Sequence, residues 1–343
     1  MTTWLLKLGA KIIGISKDIP TIPSMFEELQ LESKIKHYRE NVINLSKITE
    51  IISKERPELL FHLAAQPIVA YSYSNPIETI LSNTIGTANI LEALRLSNHK
   101  CAAIIITSDK VYENVEQVNG YKEDDKLGGK DVYSGSKGAA EIIIKSYYHS
   151  FFEKKNCNIK FAVARAGNVI GGGDWAKDRI VVDCVKAWSM NKAVEIRSPK
   201  ATRPWQHVLE PVSGYLNLGL KLYEDNSLHG ENLNFGPKTA KNFTVKELLI
   251  ELSKHWNFNN LKDIYKITND IPFNEAKLLK LNSEKAFTRL EWQASLDYKD
   301  SIRFTGEWYY NFYKKNENMA NITLAQIIEY ENIARKKGLK WTE

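Results

Sequence analysis

Cysteine is scarce in this sequence, whose 343 residues include only three, Cys101, Cys157 and Cys184. They are far apart and odd in number, so they form neither a CxxC metal-binding pair nor a disulfide framework. That usage is typical of a reducing compartment. No apolar run approaches the ~18 residues that span a bilayer, and residues 4–6 are too short for the apolar core of a signal peptide. We therefore expect a cytoplasmic protein with no membrane contact.

A strong charge of either sign is also missing. The chain has 47 Lys and Arg residues against 41 Asp and Glu, a formal net charge of +6, and the basic residues are scattered. This mild excess suits a small anionic substrate and predicts no nucleic-acid partner. No HxH or HExxH spacing occurs, so no metal site is predicted, and His62 within an apolar run is expected to be a core histidine. With 43% hydrophobic residues, the chain is neither disordered nor fibrous.

Short apolar runs alternate with helical patterns in the first half of the chain. Four runs predict strands, at residues 11–15, 59–65, 102–106 and 161–164. Helical spacing predicts helices over residues 77–96 and 133–152, and a last surface helix over residues 323–336. Apolar strands separated by helices are typical of a parallel sheet covered on both faces. The sequence therefore predicts an α/β fold with a Rossmann-like, doubly wound sheet.

The pattern loosens after residue 170, where glycines and shorter elements follow. We therefore predict a Rossmann-like domain over residues 1–170. Residues 171–343 are expected to form mostly a smaller, substrate-binding lobe, with segments that return to the sheet.

A glycine-rich turn after the first strand is absent. Sheets that bind dinucleotides normally open with a strand, a glycine-rich turn and a helix, and the turn places backbone N–H groups on the pyrophosphate. Here residues 2–9 read as the end of such a helix, and the one glycine-rich run, residues 167–173, follows a late strand. We expect Met1 to be an internal methionine of a longer protein, and dinucleotide binding by the chain as it stands to be weakened. The alternative is a decayed gene product.

The predicted strand over residues 102–106 runs into Thr107, Ser108, Asp109 and Lys110. Open α/β sheets bind ligands at the carboxyl ends of their strands. A hydroxyl, a carboxylate and an amine at such an end offer a hydrogen-bond donor, an acid and a base. The alternative is a solvated loop with an ion pair between Asp109 and Lys110.

Tyr133 and Lys137 are one helical turn apart and share a helix face. A nearby ammonium favours the phenolate and lowers the pKa of a tyrosine, which makes the tyrosine a usable base. Tyr310 and Lys314 have the same spacing, but only the first pair follows a strand-end serine, Ser108, by 25 residues. We therefore group Ser108, Tyr133 and Lys137 as catalytic candidates.

Two later runs also offer ligand contacts. Glycines in residues 166–175 let the backbone approach a ligand closely, and Asn168 can donate and accept hydrogen bonds. The alternative is a flexible turn between domains. In residues 203–208, Arg203 offers a guanidinium for phosphate and Trp205 an aromatic face for a base or sugar. The alternative there is a core tryptophan beside a surface arginine.

In this order and at these separations, the strand-end serine, the Tyr-x-x-x-Lys pair and the arginine run resemble the extended short-chain dehydrogenase/reductase family of NAD-dependent epimerases and dehydratases. Within that family the chain looks like the CDP-glucose 4,6-dehydratases. The runs that carry this narrower resemblance are AGNVIGGGDWAKDR at 166–179, RPWQHVLEP at 203–211, HLAAQP at 62–67, NTIGT at 83–87 and LNFGP at 233–237. The resemblance covers nearly the whole chain.

The resemblance implies conversion of CDP-D-glucose to CDP-4-keto-6-deoxy-D-glucose and water, with NAD as cofactor. Tyr133, assisted by Lys137 and Ser108, would take the proton of the 4-hydroxyl as hydride passes from C4 to NAD. A base would then remove the C5 proton, an acid would assist loss of the C6 hydroxyl, and the hydride would return to C6. Related dTDP-sugar dehydratases use an Asp–Glu pair for this elimination. In this chain the resemblance makes Asp109 the acid and Lys110 the base or its electrostatic helper.

The resemblance also implies binding residues. The substrate diphosphate would face Asn168, Arg179 and Arg203. The NAD site would be lined by Ala64, Ala65, Asn83, Tyr133 and Lys137. Asp18 would bond the adenine ribose, although its neighbour Lys17 could instead accept the 2′-phosphate of NADP. Asn41 stands where the family has aspartate near the adenine, and its amide oxygen can still accept a hydrogen bond.

Other functions stay open. Another nucleotide-sugar dehydratase or a 4-epimerase would use the same fold, but an epimerase returns hydride to C4 and needs no pair such as Asp109 and Lys110. A catalytically impaired, truncated remnant would only bind a nucleotide or a protein. A DNA-binding regulator has only the net charge in its favour. The resemblance further implies a homodimer joined through the helices over residues 77–96 and 133–152, and a role in bacterial surface polysaccharide.

Overall fold

A computed structural model describes residues 1–154, 157–238, 242–256, 258, 260–268 and 278–342. Its β-strands are β1 (Ile13–Ser16), β2 (Lys36–Arg39), β3 (Leu59–His62), β4 (Cys101–Ile106), β5 (Ile159–Ala166), β6 (Val169–Ile170), β7 (Val194–Ile196), β8 (Thr202–Arg203), β9 (Gln206–His207), β10 (Asn232–Phe235), β11 (Phe243–Thr244) and β12 (Tyr265–Ile267). Its α-helices are α1 (Thr2–Lys7), α2 (Met25–Glu28), α3 (Leu45–Glu55), α4 (Val69–Ser74), α5 (Pro76–Ile80), α6 (Gly86–Ser97), α7 (Val132–Tyr147), α8 (Ile180–Ser189), α9 (Leu209–Glu224), α10 (Val245–Ser253), α11 (Leu261–Ile264), α12 (Glu284–Leu290), α13 (Tyr298–Tyr310) and α14 (Met319–Lys336). Across these ranges the model contains no helix with the length and apolar character that crossing a membrane requires.

The central sheet has four parallel strands in the order β10–β5–β4–β3. The sequence of β4, CAAIII, is apolar throughout, and its side chains alternate between the two faces. Cys101, Ala103 and Ile105 pack with α3, α6 and α7, whereas Ala102 and Ile104 pack with α9. Helices therefore cover both faces of a parallel sheet, and the predicted doubly wound α/β fold is confirmed.

β1 and β2 form a separate parallel pair. Among the described residues no strand joins this pair to the central sheet. The sequence analysis misses β2, because its sequence KHYR is not apolar. Its polar side chains are satisfied locally, since Lys36 and Tyr38 both bond to Glu55 of α3, at 2.5 and 2.6 Å.

The long predicted helices are present, with interruptions. The helix over residues 77–96 consists of α5, a π-helical turn (Leu81–Ile85) and α6, and the helix over residues 133–152 consists of α7 and a second π-helical turn (Tyr148–Phe152). The last predicted helix is present as α14, with an exposed face that includes Leu324, Ile328 and Asn332. It starts at Met319 and buries Tyr330 against Trp4 of α1, with ring centroids 5.6 Å apart.

An aromatic-rich cluster forms the core of the second half of the chain, where α8, α10 and α13 contribute Val185, Leu248 and Trp308. β6 pairs in parallel with β9, so the two runs at residues 166–179 and 203–211 lie side by side. β10 returns to the central sheet beside β5. The domain boundary at residue 170 stays a prediction.

The glycine run between β5 and α8 is closely packed. A Cβ at Gly172 would lie 2.1 Å from Cγ of Trp308, and one at Gly171 would lie 2.7 Å from Cγ1 of Val208. Protein side chains thus fill the space that the sequence analysis assigned to a ligand at these two positions. That expectation is wrong for Gly171 and Gly172.

Candidate active site

The catalytic loop, which we define as Ser108, Asp109 and Lys110, lies at the carboxyl end of β4. Ser108 Oγ accepts a hydrogen bond from the backbone N–H of Lys110 at 3.2 Å and donates one to Asp109 Oδ1 at 3.0 Å. Asp109 is only 3% exposed, and Lys110 Nζ lies 3.5 Å from its Oδ2. The ion pair of the alternative reading therefore exists, but the loop that holds it is buried and ordered by its own hydrogen bonds.

The segment after β5 packs against Asp109. Asn168 Nδ2 lies 3.3 Å from Asp109 Oδ2, and Asn168 has a φ of 54°, in the left-handed region that asparagine tolerates. Gly167 approaches so closely that a Cβ there would lie 2.1 Å from the same carboxylate oxygen. Gln206 of β9 holds this segment by donating from Nε2 to the Gly167 carbonyl at 3.2 Å. The two sequence runs that narrowed the resemblance thus meet beside Asp109.

Tyr133 lies in the first turn of α7, which Asp131 caps by accepting a hydrogen bond from the Ser134 N–H at 2.9 Å. Burial raises the pKa of Tyr133 to about 12, while a hydrogen bond with Ser108 and the charge of Arg179 act in the opposite direction. The prediction that Lys137 lowers this pKa is therefore wrong in this structure, because desolvation outweighs the groups that favour the phenolate.

Lys137 lies one turn further along α7 and is 6% exposed. Burial lowers its pKa to about 8, and the carboxylate of Glu141 opposes the shift. No described group accepts a hydrogen bond from Lys137 Nζ. A buried amine without such a partner fits a ligand that carries hydroxyl groups, such as a ribose.

Residues at the carboxyl end of β3 and in the first π-helical turn also fit the nicotinamide end of a dinucleotide. Ala64 and Ala65 follow β3 and are half-buried, and their small side chains let a ligand lie close to the backbone. Asn83, in the first π-helical turn, accepts a hydrogen bond from the Gln66 N–H at 2.8 Å and donates to Ser136 Oγ on α7 at 2.9 Å. Asn83 therefore links the carboxyl end of β3 to the helix that carries Tyr133 and Lys137.

Asp18 and Asn41 follow β1 and β2, whose carboxyl ends lie at the same edge because the strands are parallel. Asp18 is exposed, whereas Asn41 is half-buried and its Oδ1 accepts a hydrogen bond from the Ile43 N–H at 3.1 Å. Lys17, weighed above as a binder of a 2′-phosphate, instead pairs with Glu78 at 3.1 Å.

The arginines predicted to bind phosphate lie in different places. Arg179 precedes α8, with Nε 3.4 Å from Asp174 Oδ2, and its charge reaches Tyr133. Arg203 is on β8, which pairs antiparallel with β11, and its Nη1 donates to the Thr202 carbonyl at 2.8 Å. Trp205 is buried in the aromatic-rich cluster, so it is the core residue of the alternative reading.

Comparison with known proteins identifies the family. Residues 1–305 match the family profile described as GDP-mannose 4,6 dehydratase. The chain belongs to this family of nucleotide-sugar dehydratases. It is 36% identical over 333 residues to CDP-glucose 4,6-dehydratase of Salmonella typhimurium, a match that covers 96% of this chain and 92% of the relative.

Solved structures of related enzymes share the fold of this dehydratase family member. UDP-glucose 4-epimerase of Thermotoga maritima, solved with UDP-glucose, has a TM-score of 0.77 at 22% identity and covers 92% of this chain and 95% of its own. dTDP-glucose 4,6-dehydratase of Bacillus anthracis, solved with NAD, has a TM-score of 0.72 at 18% identity, with 92% and 93% covered. An epimerase and a dehydratase both share the fold, so the fold does not distinguish the two activities.

Behind the site of this dehydratase family member lie two charged side chains that the sequence analysis did not select. Glu141 of α7 and Arg165 of β5 form a buried ion pair, and Thr107 donates to Glu141 at 2.6 Å. The sequence contains a feature that could have identified each of these two residues. Glu141 lies one helical turn after Lys137 on a buried helix face, and Arg165 interrupts an apolar strand. Charged residues in apolar patterns are rarely buried without a partner.

Proposed function

We propose that this chain is an NAD-dependent CDP-glucose 4,6-dehydratase that converts CDP-D-glucose to CDP-4-keto-6-deoxy-D-glucose and water. The observation that carries the proposal is the pair of Asp109 and Lys110, 3.5 Å apart in a buried loop whose Ser108 also bonds Tyr133. Epimerisation at C4 needs the tyrosine but no such pair, whereas elimination of water needs both an acid and a base. The 36% identity to the Salmonella enzyme supports CDP-glucose as the substrate.

In the first step Tyr133 takes the proton of the 4-hydroxyl. The hydrogen bond with Ser108 and the charge of Arg179 favour its phenolate and offset part of the effect of burial. NAD, when bound, would supply the redox chemistry, as acceptor of hydride from C4 and donor of hydride to C6. Lys137 would hold the cofactor ribose, and the other residues that would hold NAD are Asp18, Asn41, Ala64, Ala65 and Asn83.

Asp109 and Lys110 of the catalytic loop carry out the elimination. Oxidation at C4 makes the C5 proton acidic. Within the ion pair a proton passes from Lys110 to Asp109; the amine of Lys110 then removes the C5 proton, while Asp109 gives its proton to the C6 oxygen, which leaves as water. Lys110 then returns a proton to C5 as C6 is reduced. One turnover leaves an extra proton on Tyr133 and a carboxylate at Asp109.

Ser108 connects the two groups whose protonation has changed. It bonds Tyr133, and its Oγ donates to Asp109 Oδ1 at 3.0 Å. A proton that moves from Tyr133 through Ser108 to Asp109 restores the starting state. The proton taken from the 4-hydroxyl thus leaves the enzyme in the product water.

Asn168, Arg179 and Arg203 would bind the substrate diphosphate through one amide and two guanidinium groups.

Mass spectrometry of nucleotide sugars incubated with the chain and NAD tests this function. We expect CDP-glucose to lose one water, and the dTDP-, GDP- and UDP-sugars to stay intact. Loss of water from one of those sugars instead of CDP-glucose would contradict the choice of substrate. NAD bound to the purified protein without any loss of water would favour the impaired remnant.

The role of Lys110 is testable by exchange of the C5 proton in deuterium oxide. If Lys110 is the base, both Lys110→Ala and Lys110→Arg stop uptake of deuterium at C5, because neither side chain accepts the proton. If Lys110 only stabilises charge, Lys110→Arg keeps the exchange and Lys110→Ala loses it. Exchange at the normal rate in Lys110→Ala would exclude both roles.

We also propose a homodimer joined through the helices that flank the site. Ile77 on α5 and Ile142 on α7 are 66% and 60% exposed, and Leu81 and Ile85 extend the apolar stripe at helical spacing. We expect Ile142→Glu to sediment as a monomer, whereas Leu220→Glu, a change at an exposed apolar residue of α9, leaves the dimer intact. A monomeric parent chain, or a dimer unaffected by Ile142→Glu, would contradict this interface.

The compartment and pathway follow from the same proposal. The three cysteines are all free, which suits a reducing cytoplasm. The 4-keto-6-deoxy product is a precursor for deoxysugars, and we propose that the enzyme serves bacterial surface polysaccharide synthesis.

A further inference from the structure

A buried carboxylate behind the site contacts three segments that carry site residues. Glu141, 4% exposed, lies one helical turn after Lys137 on α7. Its Oε1 accepts hydrogen bonds from Thr107 Oγ1 at 2.6 Å and from Arg165 Nε at 2.8 Å. Thr107 leads from β4 into the catalytic loop, and Arg165 lies on β5 just before Gly167, which contacts Asp109.

Arg165 is itself fixed on every side. Its Nη2 also bonds Glu141, and its Nη1 donates to the Tyr112 hydroxyl at 2.6 Å and to the Glu123 carbonyl at 2.9 Å. The guanidinium lies 4.9 Å from the Tyr112 ring centroid. The Tyr112 hydroxyl in turn donates to Asn234 Oδ1 of β10 at 2.8 Å. One connected set of hydrogen bonds therefore joins β4, β5, β10 and α7 beneath the site.

This ion pair is poorly explained by stability alone. Desolvation of two buried charges offsets most of their attraction, and apolar side chains of similar volume often stabilise a core as well. What directional hydrogen bonds add is a fixed position for each segment they join. Glu141 also favours the charged form of Lys137, which His62 faces from β3. The pair thus contacts the segment that leads into the catalytic loop and also affects the charge of Lys137.

We propose that Glu141, held by Arg165, is a positioning residue that keeps the catalytic loop in register with Tyr133 and Lys137, so that oxidation and elimination act on the same bound sugar. The inference rests on the proposed function for its catalytic consequence. The register of the loop is nevertheless a property of the protein alone and can be measured without substrate.

Thr107→Val tests the link between the loop and Glu141, because valine keeps the volume and leaves the ion pair intact. We expect the backbone N–H groups of the catalytic loop to exchange with solvent ~10-fold faster, as a locally loosened segment does, while global stability is little affected. With CDP-glucose, kcat should fall roughly 100-fold and KM should change little, since small displacements of catalytic groups have effects of that size.

A double variant separates positioning from folding. Glu141→Met with Arg165→Met replaces the ion pair by apolar side chains of similar length, so the chain should fold. We expect the same faster exchange in the loop and the same fall in kcat. We also expect the pKa of Lys137, followed by NMR, to fall below its value of about 8, because the Glu141 carboxylate that supports the charged form is gone.

Glu210→Gln is the matched control. Glu210 is equally buried, but it accepts hydrogen bonds from Ser295, Leu296 and Tyr330. This variant should lower the melting temperature and leave both loop exchange and the Lys137 titration unchanged. Normal loop exchange in Thr107→Val and in the double variant would overturn the positioning role, whatever the substrate. Failure of the parent chain to dehydrate CDP-glucose would instead contradict the proposed function.

Discussion

Asp109 is held by three hydrogen-bond donors and one close backbone contact. Ser108, Lys110 and Asn168 donate to its carboxylate, and Gly167 lies against it. A buried carboxylate with this many donors has one available position. At the scale of single residues, the elimination that we propose therefore depends on the position in which these contacts hold the Asp109 carboxylate.

Gly167→Ala should disable the enzyme without unfolding it. The added Cβ would lie 2.1 Å from Asp109 Oδ2 and 2.2 Å from its Cγ, so the carboxylate must move. A displacement of that kind should lower kcat roughly 100-fold. Kinetics with CDP-glucose check this, and Gly135→Ala on α7, where a Cβ meets no atom within 4 Å, is the matched control. Equal activity of the two variants would contradict the role of Asp109.

The sequence alone could identify candidate site residues whose role follows from their place within a single strand or helix. Ser108 and Asp109 follow an apolar strand, and Tyr133 and Lys137 are one helical turn apart, so strand ends and helical spacing predict them. Glu141 and Arg165 are 24 residues apart on different elements, and only their contact explains either of them. The shifted pKa of Tyr133 was also beyond reach, because burial depends on the whole fold.

At the scale of elements, the π-helical turn between α5 and α6 shapes the cofactor side of the site. Such turns often mark functional sites, because the extra residue redirects side chains. Here the turn points Asn83 inward, where it bonds Gln66 after β3 and Ser136 on α7. A regular helix was predicted over these residues, since hydrophobic spacing does not reveal one inserted residue.

Asn83→Ala should loosen this junction. The N–H of half-buried Gln66 would lose its acceptor, and an unsatisfied donor away from water costs about 1–3 kcal/mol of unfolding free energy. Chemical denaturation should show that loss, and calorimetry should show weaker NAD binding. Asn332→Ala on the exposed face of α14 should stay within about 0.5 kcal/mol of the parent. Parent-like stability and NAD affinity in Asn83→Ala would show that the turn is not required.

Strand prediction succeeded for apolar runs and failed for the polar strand β2. β4 is apolar along its length and β5 is apolar except at Lys160 and Arg165, and both were predicted to within a few residues. β2 was missed because its charged and aromatic side chains bond to α3, an arrangement that no local pattern shows. α9 was missed as well, although it forms one face of the core with Tyr215 and Leu218.

At the scale of the whole molecule, two buried histidines make stability sensitive to acid. Burial lowers the pKa of both His62 and His207 to about 3, whereas histidine in an unfolded chain titrates at ~6.5. Between these values the unfolded chain binds protons that the folded chain does not. The free energy of unfolding should therefore fall as the pH is lowered from about 6.5 toward 3.

His207→Asn should remove part of this acid sensitivity. The asparagine oxygen can replace Nδ1, which accepts a hydrogen bond from the Leu209 N–H at 3.3 Å. Between pH 6.5 and 5, the loss of unfolding free energy should be about 1–2 kcal/mol smaller than in the parent. Urea unfolding at both pH values measures it, with the exposed His149→Asn as control. A loss equal to that of the parent would mean that His207 is already protonated in the folded state.

The central claim is that this molecule oxidises C4 and reduces C6 of the same sugar. CDP-glucose labelled with deuterium at C4 tests it most directly, with NAD present and the product analysed by mass spectrometry and NMR. The account predicts a product that has lost one water and carries the deuterium at C6. A product of unchanged mass with the deuterium still at C4 and the opposite configuration there would contradict it and show an epimerase.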